Sequence, residues 1–243
     1  MKIGYFLKQT LIDYPEKLAA EVFTSECNYK CPTCHAKNVL ERSQRYSEED
    51  IFSYLEKTKG FIDGIVICGG EPTLQNDLPE FARKLKDLGL SVKVDTNGSN
   101  PRMLESLLGI VDYVAMDIKG PREKYSEVAG VNVSLEDIEK SILAVAKFPN
   151  YEFRTTIVPI VENNFRWISE DEADKMAKWI VDITGTNQHK YFLQKFIARG
   201  KNEMLNERFS KENLPVDFTE TPDAVLENLK KSIEKYLQRC EIR

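Results

Sequence analysis

Short apolar runs alternate with stretches of helical periodicity along most of this chain, and that alternation limits the fold more than any other feature. LAAEVFT (18–24), GIVICG (64–69), SVKVDT (91–96), YVAMDI (113–118), EFRTTIVP (152–159) and KYFLQKF (190–196) read as strands. SEEDIFSYLEKT (47–58), DLPEFARKLKDLG (77–89), PRMLESLLG (101–109), SLEDIEKSILAVAKF (134–148), SEDEADKMAKWIVDIT (169–184) and DAVLENLKKSIEKYLQR (223–239) read as helices. Ser47 with Asp50 forms a variant capping box, Asp77 is placed to cap the second helix, and Gly89 to stop it. Strands joined through helical crossovers pair in parallel, with the helices outside. Six such units make either an open, doubly wound α/β sheet or a partial barrel, and periodicity does not choose between them. In both, ligands gather at the C-terminal ends of the strands.

A length of 243 residues suits one α/β domain over 1–243, with a core at about 18–200 and a C-terminal helix at about 222–239. Hydrophobic residues at 42% and charged residues at 30% fit a soluble globular protein. No apolar run approaches the ~20 residues of a membrane span. MKIGYFLKQT has no apolar signal core, so the expected location is cytoplasmic. There, cysteines stay reduced, and a cluster of them points to metal or catalysis before disulfides. The net charge of -5 argues against a broad nucleic-acid surface. The one basic stretch, KFIARGK, is diluted by Glu203 and Glu207 and reads as a solvated face.

The strand ends carry the chemistry. After the first strand come Cys27, Cys31 and Cys34, spaced CxxxCxxC. A short loop can turn three thiolates toward one centre, and thiolate suits zinc or an iron–sulfur cluster. The set is one ligand short. Either a distant fourth ligand closes a structural zinc site, or an open position marks a reactive centre. His35 follows Cys34 directly and is awkwardly placed for the same metal. Cys68, inside an apolar strand, reads as a small hydrophobe, and Cys240 as incidental. The second strand ends in CGGEPT, where Gly69 and Gly70 permit close backbone approach and Glu71 offers a carboxylate to a cationic amine. The third ends in DTNG with Asp95, and the fourth in MDIK with Asp117 and Lys119. Each motif alone could be a turn or a helix cap; four on consecutive strand ends point to one site.

Together, the three cysteines and GGEP resemble the radical S-adenosylmethionine (SAM) superfamily. LIDYPEKLAAEVFTSECNYKCPTCH is similar to the opening of glycyl-radical enzyme activases, above all the longer activating proteins of anaerobic ribonucleotide reductase. DTNG, MDIK and RTTIVP also resemble the activase of pyruvate formate-lyase. The likeness covers about residues 3–200.

That resemblance implies a partial (β/α)6 barrel of the radical SAM type, with parallel strands inside and helices outside. It implies a [4Fe–4S] cluster on Cys27, Cys31 and Cys34, with SAM filling the fourth iron position. Gly69, Gly70 and Glu71 then hold the SAM amine. Asp95, Thr96, Met116 (through its backbone) and Asp117 surround a monovalent cation beside the SAM carboxylate, with Asn97 in the same motif. Lys119 and Arg154 contact SAM, and Thr33 and His35 flank the adenine. The cluster passes one electron to SAM, and the resulting 5′-deoxyadenosyl radical removes a hydrogen from a glycine of a partner, anaerobic ribonucleotide reductase. A ferredoxin or flavodoxin supplies the electron. No acid–base residue is needed, in keeping with two histidines in the whole chain. Some positions depart from the pattern: Thr33 replaces a usual aromatic, Glu26 a glycine, Ile160 the glycine of VPG, and Phe196 aligns with a histidine. No second CxxCxxC is present, which excludes activases carrying a ferredoxin-like insert. Two other readings stay open: a radical SAM enzyme that modifies a small molecule or nucleoside, and a non-catalytic zinc module.

Overall fold

A computed structural model describes residues 1–40, 45–161 and 164–243. In chain order it contains β1 (Ile3–Thr10), β2 (Ala19–Thr24), α1 (Lys37–Leu40), α2 (Glu48–Lys57), β3 (Gly64–Gly69), α3 (Leu78–Asp87), β4 (Ser91–Thr96), α4 (Pro101–Ser106) and β5 (Tyr113–Asp117). Then follow α5 (Tyr125–Ala129), α6 (Leu135–Val145), β6 (Tyr151–Ile157), β7 (Ile160–Val161), β8 (Phe165–Arg166), α7 (Glu170–Thr184), β9 (Lys190–Lys195), α8 (Asp223–Glu234) and β10 (Arg239–Ile242). Among the described residues, one sheet of eight strands runs β1-β2-β3-β4-β5-β6-β9-β10, and β7 and β8 form a separate ribbon. Every neighbouring pair from β2 to β10 is parallel; only β1 runs against its neighbour. The expected α/β fold is therefore present, with a mostly parallel sheet and helices around it. No helix of the described residues is long and apolar enough to cross a membrane.

The sheet divides its residues by the period of two. On the outer face, Ala20, Val22, Ile65, Ile67, Val92, Val94, Val114, Met116, Phe153 and Leu193 join the buried stripes of the helices in one continuous core. On the inner face, Ala19, Val66, Tyr113 and Ala115 form a second, smaller cluster with Tyr14 and Cys68. This cluster fills the lumen below the C-terminal ends of the strands, and those ends are left to polar residues.

The six expected strands and helices all form, with ends shifted by a few residues. Four strands lie outside that expectation: the two short strands of the β7–β8 ribbon, and β1 and β10 at the two edges of the main sheet. β1 lies in MKIGYFLKQT, where Gly4 interrupts the apolar run and two register irregularities break the alternation. β10 follows the last helix, which is shorter than the expected 223–239: α8 ends at Glu234, and Cys240 is a buried member of a strand paired to β9, not an incidental tail residue. Buried Leu237 continues the helical spacing, and that hid the change. The capping box of α2 forms as read, with Ser47 Oγ accepting from Asp50 N at 3.1 Å and Asp50 Oδ2 from Ser47 N at 2.9 Å. Asp77 does not cap α3 with its side chain; its carboxylate takes the Met1 amino group instead. In the basic stretch that begins at the end of β9, Lys195 is balanced locally by Glu220 and Asp223.

Between β9 and α8 lies a long connection with two short 3₁₀ turns, Glu207–Phe209 and Val216–Phe218. It is tied down by Thr221, whose hydroxyl donates to Ile157 O at 2.7 Å, and by aromatic contacts of Phe209 with Phe165 and of Phe218 with Trp167.

The longest helix, α7, is started by a full capping box. Ser169 Oγ accepts from Glu172 N at 3.2 Å, and Glu172 Oε2 accepts from Ser169 N at 2.7 Å while also pairing with Arg166. Replacing Ser169 with alanine removes one cap and frees one backbone donor. The expected cost is about 1 kcal/mol, read as a lower urea midpoint with an unchanged slope.

Candidate functional site

The segment after β2 carries the three cysteines and is held from three sides. Glu71 N donates to Glu26 O at 2.6 Å, and Lys30 N donates to Ala129 O at 2.9 Å. Both junctions require glycine: a Cβ at Gly70 would lie 2.0 Å from Glu26 O, and one at Gly130 would lie 2.0 Å from Lys30 O. From the third side, Leu205 N, in the connection after β9, donates to Cys34 O at 3.0 Å. Backbone N–H groups also point at sulfur, from Tyr29 to Cys27 Sγ at 3.4 Å and from Ala36 to Cys34 Sγ at 3.3 Å. Burial pushes the Cys27 thiol up to about 11 and raises that of Cys31. A metal centre taking these thiols would have to displace their protons.

The thiols line one cavity of about 280 Å³ at the C-terminal ends of the strands. Among the described residues, no three His, Cys, Asp or Glu side chains stand close enough to hold a single ion. Three thiols around one cavity suit a thiolate-held metal centre, either an iron–sulfur cluster or a zinc ion completed by a further ligand. The same cavity is lined by Gly69, Gly70, Glu71, Asp95, Thr96, Asn97, Asp117, Lys119 and Arg154. Thr33 and His35 face a second cavity of about 290 Å³, which shares Cys31, Cys34, Asp117 and Lys119 with the first and includes Phe196. The His35 ring lies 5.8 Å from that of Phe196, tilted by 33°. The Met116 side chain is fully buried on the outer face against Gly98, so only its backbone can reach the site.

Glu71 differs from the sequence reading. Its carboxylate is wholly buried and already engaged: Oε1 accepts from Thr73 N at 3.1 Å, the Thr73 hydroxyl and Thr96 Oγ1 at 2.7 Å, and Oε2 accepts from Asn97 N at 2.6 Å. Burial raises this carboxyl against the pull of its donors. Glu71 thus pins the end of β3 to the end of β4, while Gly69 and Gly70 line the cavity. Asn97 likewise reaches across to the cysteine segment, donating from Nδ2 to Asn28 Oδ1 at 3.0 Å.

Across the inner face runs an alternating chain of charges. Lys93 pairs with Asp95 Oδ1, Arg154 Nη1 with Asp95 Oδ2 at 2.8 Å, Arg154 Nε with Asp117 Oδ1 at 2.9 Å, and Lys119 Nζ with Asp117 Oδ2 at 2.9 Å. Burial would raise both aspartates, but their cationic neighbours outweigh it and hold both below the usual carboxylate range. The gap between Asp95 and Asp117 is filled by the guanidinium, so the residues present do not fit a separate monovalent cation there.

Four residues of this lumen escaped the sequence reading: Glu21, Cys68, Lys93 and Glu152. Cys68 is no passive hydrophobe, since its thiol donates to Glu21 Oε1 at 3.0 Å, and both line the cavity. Glu152 takes Tyr113 OH at 2.7 Å and Arg243 Nη1 at 2.9 Å. A signal was available. Parallel strands covered on both faces should read as unbroken apolar runs, so an acid or lysine inside AAEVFT, SVKVDT or YEFRTTI must point into a lumen.

Glu21 gives a prediction. Burial pushes its carboxyl up to about 7, above its ordinary value of 4.5. A raised carboxyl favours the fold fully below the unfolded value, and that advantage is lost as pH rises through the folded one. Glu21→Gln should therefore stabilise the chain at about pH 8.5 by roughly 1–3 kcal/mol more than at about pH 5. Paired denaturant titrations measure this; equal gains at both pH values would remove Glu21 as the titrating group.

A sequence profile describing the radical SAM superfamily matches residues 22–165. A protein of Methanocaldococcus jannaschii, provisionally named a glycyl-radical enzyme activating enzyme, is 36% identical over 241 residues, covering 96% of this chain and 91% of that one. A domain of pyruvate-formate lyase-activating enzyme from Bacteroides vulgatus superposes with a TM-score of 0.52 at 16% identity, covering 74% of this chain and 99% of that one. SuiB from Streptococcus suis reaches a TM-score of 0.60 at 14% identity, covering 92% of this chain and 47% of that one. The two structures share a fold with this chain, and the profile together with the archaeal relative carries the lineage: the chain belongs to the radical SAM superfamily.

Proposed function

We propose that Cys27, Cys31 and Cys34 hold a [4Fe–4S] cluster, that SAM occupies the two adjoining cavities, and that the chain, as one domain over 1–243, installs a glycyl radical on anaerobic ribonucleotide reductase. The observation that carries this reading is the meeting of three thiols with Lys119, Arg154 and the glycine turn around one cavity. Membership of the superfamily implies the cluster and SAM. The name of the archaeal relative and the IDYP opening support a glycyl-radical enzyme as partner. A ferredoxin or flavodoxin is the proposed electron donor.

A cluster held by Cys27, Cys31 and Cys34 would supply one-electron reducing chemistry to a bound SAM. The chain's own residues bind and shield. Lys119 and Arg154 offer positive charge to a carboxylate. The strand-end backbones, fixed by Glu71, offer hydrogen-bonding groups to an amine. Val128, Val158 and Phe196 wall the second cavity and exclude water, beside Thr33 and His35. No side chain has to move a proton. Of the two histidines, His35 packs at a tilt against Phe196, while His189 bridges Tyr151 OH at 2.8 Å and Thr184 Oγ1 at 2.7 Å.

Two experiments test this reading. Cys31→Ala, reconstituted anaerobically with iron and sulfide, should lose the cluster's visible absorbance and all 5′-deoxyadenosine formation while keeping its far-UV circular dichroism. Retained SAM cleavage would overturn the ligand set. The intact protein, given SAM, a reductant and the anaerobic reductase of the same genome, should produce a glycyl-radical doublet by electron paramagnetic resonance. 5′-Deoxyadenosine without a protein radical counts against the partner, and cleavage triggered by a metabolite alone would favour a small-molecule substrate.

A further inference from the structure

We infer that Arg154 is itself the resident cation of the Asp95–Asp117 pair, so that this chain binds its amino-acid-bearing ligand without an alkali-metal ion. The inference rests on the proposed reading of the cavity as a SAM site. It starts from sheet register. Asp117 on β5 is paired directly with Arg154 on β6, and Ile118 N donates to Arg154 O at 2.7 Å. The guanidinium is therefore placed by the sheet itself and not by a mobile loop. From there Nε meets Asp117 at 2.9 Å and Nη1 reaches Asp95, one strand further, at 2.8 Å.

An alkali ion in that gap would need oxygen ligands, as hard cations do. All four carboxylate oxygens already accept an N–H: Asp95 from Lys93 and Arg154, Asp117 from Arg154 and Lys119. Within this row of five side chains, three cations stand against two carboxylates, so no anionic vacancy calls for an ion. A second cation in the same gap would face the guanidinium at short range, with the Arg154 side chain only 14% exposed and little water to screen it. Arg154 can also do the ion's work. A guanidinium has five N–H donors in one plane, and Nη2 has no protein partner among the described residues. That edge remains for a ligand carboxylate.

The test is SAM binding to the cluster-loaded protein, followed by calorimetry in sodium, potassium and choline chloride at equal ionic strength. The expected dissociation constants agree within about twofold, since screening is the same in all three. In Arg154→Met, affinity in choline should fall by about tenfold or more and recover in part when potassium is added, because two buried carboxylates then lack their shared cation. As a readout that needs no SAM, sodium-23 NMR should show no line broadening by the parent beyond that of bulk sodium and added broadening by the variant. Should Arg154→Met fail to fold, Arg154→Lys serves, since one ammonium cannot span both carboxylates as the planar fork does, and the parent salt series decides by itself. A parent that needs sodium or potassium overturns the inference and leaves the SAM reading standing. A parent that binds no SAM in any salt overturns the SAM reading, and this inference with it.

Discussion

A charge on the inner face of a parallel sheet survives only if its neighbours neutralise it. The chain Lys93–Asp95–Arg154–Asp117–Lys119 meets that condition across three strands, each carboxylate accepting from two cations. Much follows from it. Because the upper lumen is polar, hydrophobic stabilisation falls mainly to the outer face, where strand residues and helix stripes share one core. Because Lys93, Asp95, Asp117 and Arg154 come from strands, with Lys119 two residues past the end of β5, most of this geometry is set by register before any ligand arrives. The site is preorganised as a cationic wall opposite a wall of thiols.

The thiol wall depends on different physics. Its backbone is pressed against two glycines so closely that no side chain fits, and the groups it touches at Glu71, Ala129 and Leu205 are distant in sequence. Glu71 links the two walls. Its buried carboxylate binds the end of β4, while its backbone N–H holds the residue before Cys27. An acid that looks from its motif like a ligand for an amine is in this structure a structural clamp.

Much of this was legible in the sequence. The strand–helix alternation marked out the parallel sheet, and the motifs at the strand ends named most of the residues that line the cavity. The failures have physical reasons. β1 is irregular, and β10 is four residues long behind a helix whose spacing runs on into it. Glu21 and Lys93 lie in the middle of strands, away from the strand ends that carry the motifs. The engagement of Glu71 and the bridging of Asp95 to Asp117 by Arg154 depend on which strands lie side by side, and a linear pattern does not state that. Arg154 in particular was read as a contact to a ligand, although its nearest partners are the two aspartates.

The fastening of the cysteine segment also fixes an order of biogenesis. In small zinc modules the metal gathers the chain, and folding waits for it. Here residues 27–34 take their shape from contacts that reach as far as residue 205, so the segment cannot be set until most of the polypeptide has been synthesised and those contacts have formed. Iron and sulfide would then meet a finished cradle, late in the protein's maturation. A chain truncated before residue 205 would lose that cradle even though all three cysteines had long since been made.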